Sequence, residues 1–108
     1  MGPWVLVAGT TATDEEGRVV SPRDAYGQAM HILQKIQASL GKAGARMKDV
    51  VRTRIFLTNI GDWEAVGRAH VEFFRDIRPV TTLVQVSRLI DPDMLVEIEA
   101  DAIVADGA

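Results

Sequence analysis

Two segments decide the fold: Arg78-Pro79-Val80-Thr81-Thr82-Leu83-Val84-Gln85-Val86-Ser87 and, one loop later, Leu95-Val96-Glu97-Ile98-Glu99-Ala100-Asp101. Both alternate in polarity, the period of an extended strand whose two faces differ. Val84 and Val86 share one side of the first segment, and Thr81, Leu83 and Gln85 the other. In the second, Val96 and Ile98 oppose Glu97, Glu99 and Asp101. Three carboxylates on one strand face have two readings. They form the solvated side of an antiparallel sheet, or they line a polar site.

Working outward, Asp62 reads as the N-cap of a helix that carries Trp63, Val66, His70, Phe73, Phe74 and Ile77 at helical spacing. A lone histidine on such a stripe is more often a core or interface residue than a ligand. Before it, Asp49 to Asn59 alternates again, with Val51, Thr53, Ile55 and Leu57 facing one way and Arg52, Arg54 and Phe56 the other. Further upstream, Ser21-Pro22-Arg23-Asp24 resembles a capping box with proline at the first helical position. The stripe Tyr26, Ala29, Met30, Leu33, Ile36 and Leu40 follows, with Gln28, Lys35, Gln37 and Lys42 on the outer face and Gly41 or Gly44 as terminator. Trp4 to Thr11 is an apolar run consistent with a strand buried on both faces. Asp14-Glu15-Glu16-Gly17 is a turn, and Arg18-Val19-Val20 adds a short strand to it.

The order is β(β)αβαββ, an α+β arrangement in which two amphipathic helices cover one face of a sheet. The uncovered face, with its arginines and carboxylates, is too mixed for a core and too apolar for solvent alone. A homo-oligomer in which these faces meet around a shared axis follows.

Composition narrows the function. The 108 residues make a single domain, residues 1–108, with 47% hydrophobic and 25% charged residues. A net charge of −3 provides no basic footprint for nucleic acid and no polybasic membrane anchor. The absence of cysteine excludes disulfides, a thiol nucleophile and thiolate metal sites. Two isolated histidines do not make a zinc site. The apolar opening lacks a basic n-region and is too short to span a bilayer, so a cytoplasmic location is expected.

Particular residues carry a resemblance: Val7-Ala8-Gly9-Thr10, Asp49-Val50-Val51-Arg52-Thr53, Glu72-Phe73-Phe74, and the proline-led strand followed by Val96-Glu97-Ile98-Glu99. On these the chain resembles the RidA (YjgF) family over nearly its full length. The resemblance implies a chorismate-mutase-like fold with a mixed β-sheet and two helices on one face. It also implies a homotrimer with helices outside, an inner barrel, and three ligand sites in the clefts between subunits. Well-studied members hydrolyse enamines and imines to keto acids and ammonia, without a cofactor. Such a site must hold the substrate carboxylate, polarise the C=N group and place a water.

Position by position, Glu97 matches the glutamate that orients the water, and Gly9 matches the glycine whose backbone contacts ligand. Ala8 stands where serine is common, Leu83 at a lining position that is often cysteine, and Gly67 where an asparagine often borders the pocket. Thr81 stands where active members carry an arginine that pairs bidentately with the substrate carboxylate. The sequence also starts almost at its first strand, so either its start is truncated or the family's leader and site-facing tyrosine are missing from one wall of the cleft. By alternation Arg54 points to the inner face with Phe56, Thr81 and Glu97. It either supplies the missing anion-binding charge or pairs with Glu99 or Asp101. The resemblance also puts Arg68 and His70 near the end of the pocket, where either is a candidate substrate contact, with Arg68 read rather as solvent-facing or intersubunit. The expected function is a divergent imine or enamine deaminase whose substrate is not the usual 2-imino acid. The alternative is a non-catalytic trimer that binds a metabolite or protein partner. Chorismate mutase chemistry is disfavoured, because fold does not carry function and no cationic cluster suits a dianion.

Overall fold

Asp24 starts the first helix. Its carboxylate accepts from the Gly27 amide at 2.9 Å in the computed structural model, which describes residues 3–105. This corrects the expectation of a Ser21 cap. Ser21 and Arg23 have φ of 50° and 64°, in the left-handed region, so Ser21-Pro22-Arg23 is a turn leading into the helix. Helix α1 runs Ala25–Lys42 and ends where Gly44 takes φ of 83°. Its buried stripe is Ala29, Ile32, Leu33, Ile36 and Leu40.

Gln28 is a second correction. Helical spacing puts it on the outer face, yet it is fully buried. Its amide donates to Asp93 O at 2.8 Å and accepts from Leu95 N at 2.9 Å, tying the helix to the loop before the last strand. Gln28→Leu should therefore destabilise the fold, by about 1–3 kcal/mol for each backbone group left without a partner. A urea denaturation midpoint unchanged from the parent chain would contradict this role.

The strands are β1 (Trp4–Thr11), β2 (Val50–Leu57), β3 (Val80–Gln85) and β4 (Val96–Ile103), with helix α2 (Trp63–Phe74) between β2 and β3. They form one mixed sheet in the order β1-β4-β2-β3. β2 and β3 pair in parallel across the α2 crossover, and β4 is antiparallel to both its neighbours. The Arg18–Val20 strand is reduced to a single bridge between Thr13 and Val19.

Both helices lie on one side of the sheet. There Ile55 and Leu57 of β2 and Val96, Ile98, Ala100 and Ala102 of β4 join Ile32, Leu33, Ile36, Val66 and Phe74 in one core. A register shift between Val50 and Arg52 inverts the start of β2, so Val50 is buried and Val51, expected inside, is exposed. Nor is β1 buried on both faces. It is an edge strand whose Val5 and Val7 pair with the buried Ala102 and Ala100, while Trp4 and Leu6 are 58% and 69% exposed. At the start of α2, Asp62 makes no capping bond. Asn59 caps the preceding turn instead, accepting from Gly61 N at 2.9 Å.

Candidate functional site

The row of carboxylates on β4 is divided by its neighbours. Register places Arg54 opposite Glu99 and Phe56 opposite Glu97. The Arg54 guanidinium lies 3.4 Å from Glu99 and 3.3 Å from Asp101. Arg54 is thus the partner of the sheet-face carboxylates, the second of its two sequence readings, and its charge is committed to them. Glu97, by contrast, has neither an ion pair nor a side-chain hydrogen bond among the described residues.

Glu97 lies against Gly9. The β1–β4 register slips between Val7 and Thr10, leaving Ala8 and Gly9 in a bulge. A Cβ on Gly9 would sit 2.0 Å from Glu97 Oε2 and 2.8 Å from its carboxyl carbon. Only glycine lets the half-buried carboxylate rest on the strand. A carboxylate with free lone pairs, held against backbone, is suited to take a proton from water.

Thr81 and Leu83 are elsewhere. They pair in register with Thr53 and Ile55, so they belong to the helix-covered side of β3, not to the side of Arg54 and Glu97. The expectation that Thr81 shares a face with Arg54 and Glu97 is corrected. Alternation separates the two sides of β3 and of β4, but relative facing depends on register, which one strand's pattern does not contain.

Thr81 ends a hydrogen-bonded chain. Its hydroxyl lies 2.8 Å from that of Thr53, which lies 2.9 Å from His70 Nε2. Thr53 is fully buried, His70 half-buried against the Phe74 ring at 4.6 Å between centroids, and Thr81 exposed. Burial lowers the His70 pKa from its ordinary value of 6.5. The unfolded chain therefore takes up this proton first as pH falls. Stability is full above about pH 6.5 and is lost as pH drops from there toward the folded value. Urea midpoints from about pH 7.5 down to about pH 5 should show this fall. His70→Gln should flatten it, and an unchanged slope in that variant would assign the loss to other groups.

The sequence alone places His70 on the apolar stripe, near the end of the family's pocket, and assigns Thr53 no role. The available signal was a lone hydroxyl in the apolar register of Thr53, Ile55 and Leu57. Gly67 lines a separate groove of about 830 Å³ between α1 and α2, with Tyr26, Trp63, Arg68, Val71 and Glu72. There Tyr26 donates to Glu72, and exposed Arg68 lies 5.7 Å from the Tyr26 ring centroid. Among the described residues no cluster of metal-ligating side chains occurs, and no helix is long and apolar enough to cross a membrane.

In one protomer, then, Ala8, Gly9 and Glu97 lie toward the β1 edge, whereas Thr81 and Leu83 lie on β3 at the opposite edge and on the other face.

Comparison with known proteins gives a consistent result. A family model described as endoribonuclease L-PSP matches residues 1–104. The 3-aminoacrylate deaminase RutC of Acinetobacter baylyi is 39% identical over 98 residues, covering 91% of this chain and 77% of that protein. Rv2704 of Mycobacterium tuberculosis, a solved structure described as a member of the YjgF/YER057c/UK114 family, is 48% identical with a TM-score of 0.86. That match covers 96% of this chain and 81% of Rv2704. E. coli TdcF, solved with bound serine, is 28% identical with a TM-score of 0.87, covering 97% of this chain and 84% of that one.

Proposed function

Since the chain belongs to the endoribonuclease L-PSP family, the YjgF/RidA family of the sequence resemblance, we propose that it hydrolyses the C=N bond of a small imine, or of the imine tautomer of an enamine. The observation that carries this is the Glu97 carboxylate resting on Gly9, without a side-chain partner among the described residues, while Arg54 occupies its two neighbours. Its similarity to a 3-aminoacrylate deaminase supports the same reaction class.

In the proposed reaction Glu97 accepts a proton from water as the oxygen adds to the imine carbon. Glu97 returns that proton to the nitrogen. The carbinolamine hydroxyl then gives its own proton to the nitrogen as the C–N bond breaks and the C=O bond forms, so imine plus water gives a carbonyl compound plus ammonia. Thr81 carries no charge, and a charge-assisted hydrogen bond is worth about 1.5–3 kcal/mol. A substrate that depends on a carboxylate clamp is therefore poorly served.

The site would form between copies of the chain in a homotrimer with an inner barrel. Its support is the open sheet face, where Trp4, Leu6, Val80 and Val84 are exposed beside the Arg54–Glu99–Asp101 cluster. Joining the Glu97 edge to the Thr81 edge also requires a second copy. A ribonuclease reading is disfavoured by the net charge of −3 and the acidic open face.

A coupled assay tests the proposal. An amino-acid oxidase generates a panel of 2-imino acids, amine oxidase generates carboxylate-free imines, and semicarbazone formation reports how fast each is removed. Faster removal of at least one imine, strongest without a carboxylate, is the expected result. No acceleration over buffer with either panel would overturn the deaminase reading and favour a binding protein.

A further inference from the structure

We propose that the Thr81 hydroxyl, held by Thr53 and His70, accepts a hydrogen bond from an N–H of the ligand, so that the site selects neutral nitrogen compounds such as amides over carboxylates. This names the substrate class for the site proposed above and rests on that reading.

Each threonine hydroxyl has one proton, so the chain Thr81–Thr53–His70 runs in one direction at a time. Run inward, Thr81 donates to Thr53 at 2.8 Å and Thr53 donates to a bare His70 Nε2 at 2.9 Å. Both lie within the normal hydrogen-bond range. Run outward, His70 donates to Thr53 and Thr53 to Thr81, and the Thr81 proton is left with Pro79 O at 3.3 Å. That is beyond the usual reach of an O–H···O bond. Either direction satisfies the buried Thr53 hydroxyl and leaves the imidazole neutral, but only the inward one gives the Thr81 proton a protein acceptor at a normal distance. That direction spends the only Thr81 proton inside the protein. What Thr81 then presents outward is lone pairs alone.

An acceptor-only hydroxyl discriminates by chemistry. A carboxylate brings no donor and meets oxygen against oxygen, whereas an amide or an amine brings N–H. Thr53 and His70 touch no ligand in this account. They are positioning residues that fix which way the Thr81 proton points.

The experiment uses the full chain and two methods that do not depend on turnover. Nitrogen-15 NMR of His70 at about pH 7.5 should show Nε2 without a proton and Nδ1 carrying it. A protonated Nε2 would reverse the chain and overturn the inference. Binding by calorimetry should favour 2-oxopropanamide over pyruvate by about tenfold or more. Thr53→Val should remove that preference, and Thr53→Ser, which keeps the hydroxyl, should restore it. Thr81→Arg should invert it toward pyruvate. Equal or tighter pyruvate binding by the parent chain, or an unchanged ratio in folded Thr53→Val, would also overturn the inference. Amide preference without turnover of any imine would leave this inference standing and sink the deaminase reading. Turnover with no amide preference would do the reverse.

Discussion

Glu97→Gln is expected to lower imine hydrolysis by about 10²–10⁴-fold, the usual worth of a positioned general base, while leaving the fold intact. Glutamine keeps the size and hydrogen-bonding reach of the side chain but does not accept a proton from water. The fold is spared because Glu97 makes neither an ion pair nor a side-chain hydrogen bond among the described residues, so no partner is orphaned. Its neighbours provide the control. Glu99→Gln removes a carboxylate from the same strand face but one paired with Arg54, and it should cost stability more than rate. Initial rates in the semicarbazone assay, with thermal midpoints measured alongside, separate the two. Equal rate losses in the two variants would mean that Glu97 has no special role.

Gly9→Ala gives the second large effect and a cleaner separation of rate from stability. The added Cβ would lie 2.0 Å from Glu97 Oε2, so the carboxylate must move. The obstructing atom ends a flexible side chain, and Gly9 is not among the residues with positive φ, so alanine fits the backbone without strain. Stability should change by no more than about 1 kcal/mol, but a carboxylate displaced by an ångström should lose about 10²-fold in rate. Parent-like turnover by Gly9→Ala would show that contact between Gly9 and Glu97 does not set the position of the base.

The residues explain how far the sequence could be read. Alternation in β3 and β4 and the stripes of α1 and α2 gave the elements, because burial of one face imposes a period on each. The same reasoning failed at Gln28, where a polar side chain is buried to bind loop backbone, a need set by the distant Asp93 and Leu95. It failed at Val51, because a bulge shifts the period by one residue. In the candidate site, Gly9 and Glu97 were legible through the family resemblance, but their contact was not, since it depends on the β1 bulge. The placement of Thr81 failed for want of strand register. The contact between His70 and Thr53 depends on how α2 packs over β2, which neither segment's pattern contains.

The central claim is that the site is shared between copies of the chain, with Glu97 from one edge and Thr81 from another. The most direct measurement mixes two inactive variants, Glu97→Ala and Thr81→Trp, the second closing the cleft with a bulky ring. The subunits are unfolded and refolded together in equal amounts, and native mass spectrometry confirms mixed trimers. Each active cleft needs an intact Glu97 from one subunit and an intact Thr81 from its neighbour, so random mixing should restore about a quarter of the parent activity. Mixed trimers as inactive as either variant alone would place both residues' functions within single chains and contradict the account.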